Sequence, residues 1–257
     1  GILELQKAGI FVKSGILKDE AERLNESYIK YITTGKPFVT LKIAMTLDGK
    51  IATPEGQSKW ITGERARKIV HQMRSSVDAI VTAIGTVKAD DPQLTARIKG
   101  GKDPKKIIID PDLEISINAK IFQTAPETII VTKESGIKSK ETEIHRKKEI
   151  LLEKGVKIIT YDSDKMNLDR LMEKLGKMEI SSVLIEGGSS LNAHALEDGI
   201  VDKVIFFIAP KIIGGKKSFS AVGGDTYRKL EEAHVVKKTK MKRIGEDFLI
   251  EGYIQNK

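Results

Sequence analysis

Four stretches of the chain carry residue types that could do chemistry. In Phe38-Val39-Thr40-Leu41-Lys42-Ile43-Ala44-Met45-Thr46 the side chains alternate with the period of a strand. Val39, Leu41, Ile43 and Met45 share one face; Thr40, Lys42, Ala44 and Thr46 share the other, where Lys42 is the single cation among small residues. A charge in mid-strand is costly to desolvate unless it is paired or faces a wet cleft. Lys42 therefore either points into a ligand site or lies on a solvated sheet face. The second stretch is the helical spacing of Ala66, Ile69, Val70 and Met73, which places Arg74 at the edge of the apolar stripe, with Arg67 and His71 further round. Arg74 is the basic residue there best placed to enter a cleft, the alternative being a surface arginine with a buried stem. The third is Asp90-Asp91-Pro92-Gln93-Leu94-Thr95-Ala96-Arg97, whose paired carboxylates before a proline form a turn with a helix cap or serve a ligand. The fourth is Glu186-Gly187-Gly188-Ser189-Ser190-Leu191-Asn192-Ala193-His194. There an apolar strand ends, two glycines admit a close backbone approach, and a helix begins with free N–H groups aimed at an anion. Glycines also serve tight strand-to-helix turns, so this reading stays open at the level of spacing.

The elements that must position these residues can be read from periodicity. Strands are expected at 78–84, 106–110, 128–132, 156–160, 182–186 and 204–210, interleaved with helices beginning near Thr62, near Glu141 and near Leu168. Alternating apolar strands and helices imply a mainly parallel sheet covered on both faces. The tail changes character. Residues from His234 to Met241 and from Phe248 to Ile254 read as an antiparallel pair closing the domain, while the apolar run Val204 to Ile208 suits either core or an interface. Residues 1–36 read as a preface: a short strand at Ala8-Gly9-Ile10-Phe11-Val12, then a helix capped by Asp19 with the spacing Ala21, Leu24, Tyr28, Ile32, closed by Gly35 and Pro37. A lone strand and helix make no core, so they must pack on the main domain or on something beyond it.

Composition narrows the chemistry. The 257 residues are 40% hydrophobic and 31% charged, ordinary for a soluble globular protein and enough for one large core or two modest ones. There is no cysteine, which removes disulfides, thiolate–zinc sites and cysteine nucleophiles. His71, His145, His194 and His234 are far apart in sequence, so no metal site is expected. The net charge of +8 suits phosphorylated small molecules or nucleic acid. Lysines interleaved with glutamates, as between Lys138 and Lys157, and an aromatic content of 5% favour the former. No apolar run is long enough to span a bilayer and no signal-peptide pattern opens the chain, so a cytoplasmic enzyme without membrane or nucleic-acid partners is expected. GxGxxG and Walker A patterns are both absent. The abundance of Lys, Glu and Ile leans towards a heat-adapted source.

Several motifs in order, Leu41 to Ala52, Ser58-Lys59-Trp60-Ile61-Thr62, Arg74, Thr86-Val87, Asp90 to Thr95 and Glu186-Gly187-Gly188, closely resemble the reductase domain of the bifunctional riboflavin-biosynthesis deaminase/reductases, the RibD/RibG family. The resemblance covers about 37–257. It implies a dihydrofolate reductase-like three-layer α/β/α fold, with a mostly parallel central sheet and an antiparallel C-terminal hairpin. Residues 1–36 then resemble the end of the family's deaminase domain plus a linker helix. The zinc-binding residues of that domain have no counterpart here, so zinc is expected only in a deaminase domain on the amino-terminal side.

The activity implied is NADPH-dependent reduction of the ribose of 5-amino-6-(5-phospho-D-ribosylamino)uracil to the ribityl product, by a chain that self-associates. Carried over by position, Ala44, Trp60, Thr86, Asp90, Pro111 and the run Gly187, Gly188, Ser189, Ser190, Leu191, Asn192, Ala193 and His194 fall at cofactor positions. Pro111 stands where the family often has Ser. Lys42, Ser58, Arg74, Leu94, Arg97 and Glu186 fall at substrate positions, with Lys42, Glu186 and Asp90 as the catalytic candidates. Arg74, Arg97 and Ser58 suit a ribose 5-phosphate, and Thr132 or Lys133 suits the 2′-phosphate of NADPH. Two other readings remain: a dihydrofolate reductase-like enzyme for another pterin or pyrimidine, and a basic nucleic-acid-binding module.

Overall fold

The computed structural model describes residues 1–124, 127–135, 142–224 and 228–255. The expected start of one helix at Glu141, and Lys138, lie outside them. Among the described residues nine strands form one sheet in the order β10-β11-β8-β1-β7-β3-β4-β5-β6. Its parallel body comprises β1 (Phe38–Thr46), β3 (Ala79–Ala83), β4 (Lys105–Ile109), β5 (Thr128–Lys133), β6 (Lys157–Tyr161), β7 (Ser182–Ile185) and β8 (Lys203–Ala209). β11 (Asp247–Ile254) runs antiparallel to β8, and β10 (Val236–Ile244) antiparallel to β11. A separate ribbon pairs β2 (Lys50–Ala52) with β9 (Phe219–Ser220).

Both faces of the parallel body are covered, which is why its strands read as continuous apolar runs such as Ile107-Ile108-Ile109. On one face Val39, Leu41, Ile43, Val81, Val183 and Ile185 meet α7 (Leu168–Lys177) and α8 (Ser189–Glu197). On the other, Ile80, Ile108, Ile130 and Leu184 meet α5 (Ile84–Asp90) and α6 (Thr142–Glu153). There too α4 (Glu64–Ser76) lays Ala66 and Val70 against Ile205 and Phe207. Each large side chain so buried contributes about 2 kcal/mol. The result is the three-layer α/β architecture with an antiparallel C-terminal pair. Val204 to Ile208 resolves as core for the most part, with Phe207 fully buried.

Several local expectations change. Ala8 to Val12 is no strand: α1 (Ile2–Lys7) ends at Ala8, Gly9 takes a left-handed conformation, and Phe11 is exposed. The helix expected from Asp19 is two, α2 (Lys18–Leu24) and α3 (Glu26–Thr34), broken at Asn25 and without a side-chain cap from Asp19. Thr62 caps nothing. The N-cap of α4 is Gly63, whose N–H is taken at 2.7 Å by Asp247 from the far end of the chain. Ile84, expected to close the strand, instead opens α5, which runs to Asp90, with Asp91 left-handed beyond it.

The preface docks by its polar groups, not by its apolar stripe. Lys30 reaches Asp202 at 2.5 Å, Tyr31 Oη donates to the Gly176 carbonyl, and Glu26 accepts from Tyr253 Oη at 2.6 Å and pairs with Lys203. Leu24, Tyr28 and Ile32 face outward, exposed.

Candidate active site

The parallel register puts Leu41 opposite Ile185, so Lys42 and Glu186 are the next pair along, on the same sheet face. The backbone of Glu186 is clamped past the strand end: its N–H donates to the Val81 carbonyl at 3.0 Å, and its own carbonyl accepts from Thr82 Oγ1 at 2.9 Å. Across that face α4 delivers Arg74, as its edge position predicts. Its guanidinium holds the Glu186 carboxylate in a fork, Nε to Oε1 at 2.7 Å and Nη2 to Oε2 at 3.0 Å, while Nη1 donates to the Thr95 carbonyl at 3.2 Å. Lys42 Nζ stands 3.4 Å from Oε2. The three side chains are 15%, 8% and 14% exposed for Lys42, Glu186 and Arg74. Burial raises the Glu186 pKa, but Arg74 and Lys42 outweigh it and hold the carboxyl at about 2. Glu186 is thus a permanent anion between two cations, and the cluster carries one net positive charge.

Arg74 also fixes the segment behind it. Leu94 is buried with φ of 53°, Ala96 N–H donates to Asp103 at 2.7 Å, and Arg97 is exposed with φ of 52°. Thr95, absent from the sequence-derived candidates, is the joint: its carbonyl meets Arg74 and its hydroxyl lies 3.4 Å from Arg97 Nε. His71 borders the same joint, and burial together with the Arg74 charge lowers its pKa.

Ser58 and Asp90 form a second grouping. Ser58 Oγ donates to Asp90 Oδ1 at 2.9 Å, and Lys59 Nζ donates to the Asp90 carbonyl at 3.0 Å, fastening the loop after β2 to the end of α5. Among the described residues no hydrogen bond or ion pair joins Asp90 to the Lys42–Glu186 cluster. Trp60 is exposed, with Arg67 stacked 4.5 Å above its ring and Lys211 donating to its carbonyl.

The glycine turn follows directly on Glu186. A Cβ on Gly187 would come within 2.7 Å of Leu191, and one on Gly188 would lie 3.7 Å from Thr86 Oγ1. Gly188 is the N-cap of α8 and no side chain caps it; the first intrahelical bond runs from Asn192 N to Gly188 O. The N–H groups of Ser189, Ser190 and Leu191 are therefore open to an anion. Leu191 and Ala193 are buried, so they offer backbone only. Asn192 donates to the Ala221 carbonyl at 2.8 Å and keeps a buried, unpartnered Oδ1. His194 Nε2 lies 3.2 Å from Asp198, the C-cap of its own helix. Ala44 lies two residues beyond Lys42 on the same face, next to α4. At the neighbouring strand ends the Pro111 carbonyl accepts from Thr132 Oγ1 at 2.9 Å and from Lys133 N–H at 3.0 Å. Thr132 is fully buried and its hydroxyl is taken; of the two 2′-phosphate candidates, only Lys133 keeps a side chain partly open. The open helix end and the glycine cradle fit the phosphates of a dinucleotide, whereas the orphaned Asn192 oxygen, an acceptor, suits an N–H or O–H donor and not a phosphate. Among the described residues no group of three or more acidic or histidine side chains is placed to hold a metal ion.

A parallel sheet whose carboxyl edge joins a glycine turn at an uncapped helix start to a buried, cation-rich cluster is the arrangement of an α/β enzyme. The RibD C-terminal domain description matches residues 37–250, and the chain belongs to that family. It is 40% identical over 255 residues to the riboflavin biosynthesis protein RibD of Actinobacillus pleuropneumoniae, which covers 98% of this chain and 66% of that protein. It is 33% identical over 219 residues to the 2,5-diamino-6-ribosylamino-4(3H)-pyrimidinone 5′-phosphate reductase of Methanothermobacter thermautotrophicus, covering 84% of this chain and 97% of that one. The solved diaminohydroxyphosphoribosylaminopyrimidine deaminase/5-amino-6-(5-phosphoribosylamino)uracil reductase of Thermotoga maritima superposes with a TM-score of 0.82 at 32% identity, over 99% of this chain and 68% of that one. The chain thus spans about two thirds of the length of its bifunctional relatives.

Proposed function

We propose that this chain reduces the ribose of 5-amino-6-(5-phosphoribosylamino)uracil to the ribityl group with NADPH. The observation that carries the reading is the Lys42–Glu186–Arg74 cluster, set directly against the glycine turn at the head of α8. Gly187, Gly188 and the open N–H groups of 189–191 would hold the dinucleotide phosphates, with Thr86, Ala44, Trp60 and Pro111 along its length. When bound, NADPH supplies the hydride.

The residues of the chain divide the remaining work by charge. Glu186 stays ionised, so it accepts hydrogen bonds from amino or ring N–H groups and donates no proton. Lys42, the cation with only one long contact, polarises the sugar oxygen at C1′ and is the group able to protonate it. Arg74 keeps Glu186 charged and aimed. Arg97, exposed beside the Arg74 joint, meets the 5-phosphate together with Ser58, while Asp90 orients Ser58. Oxidation of NADPH followed by its absorbance tests the reading. Turnover is expected with the phosphorylated substrate, much less with the dephosphorylated one, and a fall of about a hundredfold in Lys42→Ala, the scale of a general acid. Near-wild-type turnover in Lys42→Ala, or equal use of both substrates, rejects it.

Residues 1–36 we assign to the end of a preceding deaminase domain, supported by the length of the bifunctional relatives and by the outward apolar side chains of Leu24, Tyr28 and Ile32. A cytoplasmic homo-oligomer is part of the same reading.

A further inference from the structure

β4 ends at Ile109, and the chain turns beneath the end of β5 through 110–115. Asp110, the first residue of that turn, is completely buried. Its backbone still belongs to the sheet, N–H to the Val131 carbonyl at 2.9 Å. Its carboxylate folds the turn around itself: Oδ1 accepts from Glu114 N–H at 2.9 Å and Oδ2 from Ile115 N–H at 2.8 Å, while its carbonyl accepts from Leu113 N–H at 3.2 Å. Lys147 on α6 closes the loop from outside by donating to the Leu113 carbonyl at 2.6 Å. The turn needs this clasp, because Leu113 sits at φ of 52°, a left-handed conformation that side-chain-bearing residues resist.

The outer wall of the same turn is Pro111, whose carbonyl anchors both Thr132 and Lys133. One buried carboxylate therefore sets the shape of a turn and, through Pro111, the position of the end of β5 at the carboxyl edge of the sheet. As a device for making a turn it is expensive. Burial penalises the charge and raises its pKa, and Lys147 spends its contact on Leu113, so that among the described residues no ion pair reaches Asp110. It also sets a carboxylate one residue from a position proposed to meet a polyanion. Both costs are accounted for when the shape it enforces is what the ligand requires.

We infer that Asp110 is a positioning residue of the cofactor site, holding Pro111, Thr132 and Lys133 as a fixed wall against the dinucleotide and acting on its binding rather than on the reduction step. The inference rests on the reading of the cleft as an NADPH site. Asp110→Asn keeps the volume of the side chain but replaces one acceptor with a donor that clashes with a backbone N–H. NADPH affinity, read from the change in its fluorescence on binding, is expected to weaken about tenfold, while kcat at saturating NADPH and KM for the phosphorylated sugar stay within twofold. Unchanged affinity in Asp110→Asn, with wild type binding NADPH normally, overturns the inference and leaves the cleft assignment standing. Failure of the wild-type chain to bind NADPH overturns both. Loss of kcat in step with affinity and melting temperature makes Asp110 merely structural and also overturns it. Should Asp110→Asn not fold, Lys147→Met opens the same turn from its half-buried side and is expected to weaken NADPH about threefold; unchanged affinity there counts against the inference.

Discussion

Replacing Glu186 with Gln removes one charge from a nearly closed cluster and alters almost nothing in volume. In the folded chain the carboxyl titrates at about 2, against 4.5 for an unperturbed glutamate. At 1.36 kcal/mol for each pKa unit, that gap corresponds to about 3 kcal/mol of linked stability. Because the folded pKa lies below the unfolded one, this stability is complete above about pH 4.5 and drains away as the pH falls towards 2. The amide cannot titrate, and it leaves Arg74 and Lys42 facing each other without their anion, a defect costing about 3 to 5 kcal/mol at neutral pH. Urea unfolding of wild type and Glu186→Gln at intervals from pH 7 to pH 2.5 measures both effects. The variant should be less stable by several kcal/mol at pH 7, with the gap closing across the acid range as wild type loses its advantage. A gap that stays constant down to pH 2.5 would refute the claim that Glu186 is held ionised by its two partners.

Two further substitutions probe the scaffold. Lys106 is fully buried and donates to the carbonyls of Ile121 and Thr124 and to the Thr124 hydroxyl; Lys106→Ala, losing these bonds and leaving a cavity, should lower stability by about 3 kcal/mol in urea unfolding, and an unshifted midpoint would show the lysine to be dispensable. A Cβ on Gly176 would fall 1.8 Å from the Gly35 carbonyl oxygen, so Gly176→Ala should force α3 from its dock, costing about 2 kcal/mol and speeding protease cleavage ahead of Pro37; an unchanged digestion rate would contradict that.

What could be read from the sequence was what local periodicity encodes. The period-two alternation of β1 located Lys42, and the apolar stripe of α4 placed Arg74 at its edge, because both depend only on spacing within one element. Their partnership was less accessible: Arg74 was expected to serve a phosphate, whereas the fold commits its fork to Glu186, more than a hundred residues away. The same blindness to distance moved the cap of α4 from Thr62 to Gly63, since the carboxylate that settles it comes from Asp247. α5 has little signature in the sequence, because Ile84-Gly85-Thr86-Val87 has weak helix formers and follows β3 directly. Ala8 to Val12, five residues with an apolar end, satisfies the strand and the helix template alike, and Gly9 breaks both. Asp110 gave no signal at all: an aspartate before a proline reads as an ordinary turn, and only burial reveals that it is the hub of one.

The strand order has a bearing on how the polypeptide is assembled. β1 lies between β7 and β8, both of which are translated long after it. A growing chain therefore carries the centre of its sheet with both hydrogen-bonding edges bare while β3 through β6 emerge and pair among themselves. Such delayed closure slows folding and invites mispairing between neighbouring nascent chains. Genetic fusions or cuts in the last third of the chain would deprive the middle of the domain, rather than its periphery, of its partners.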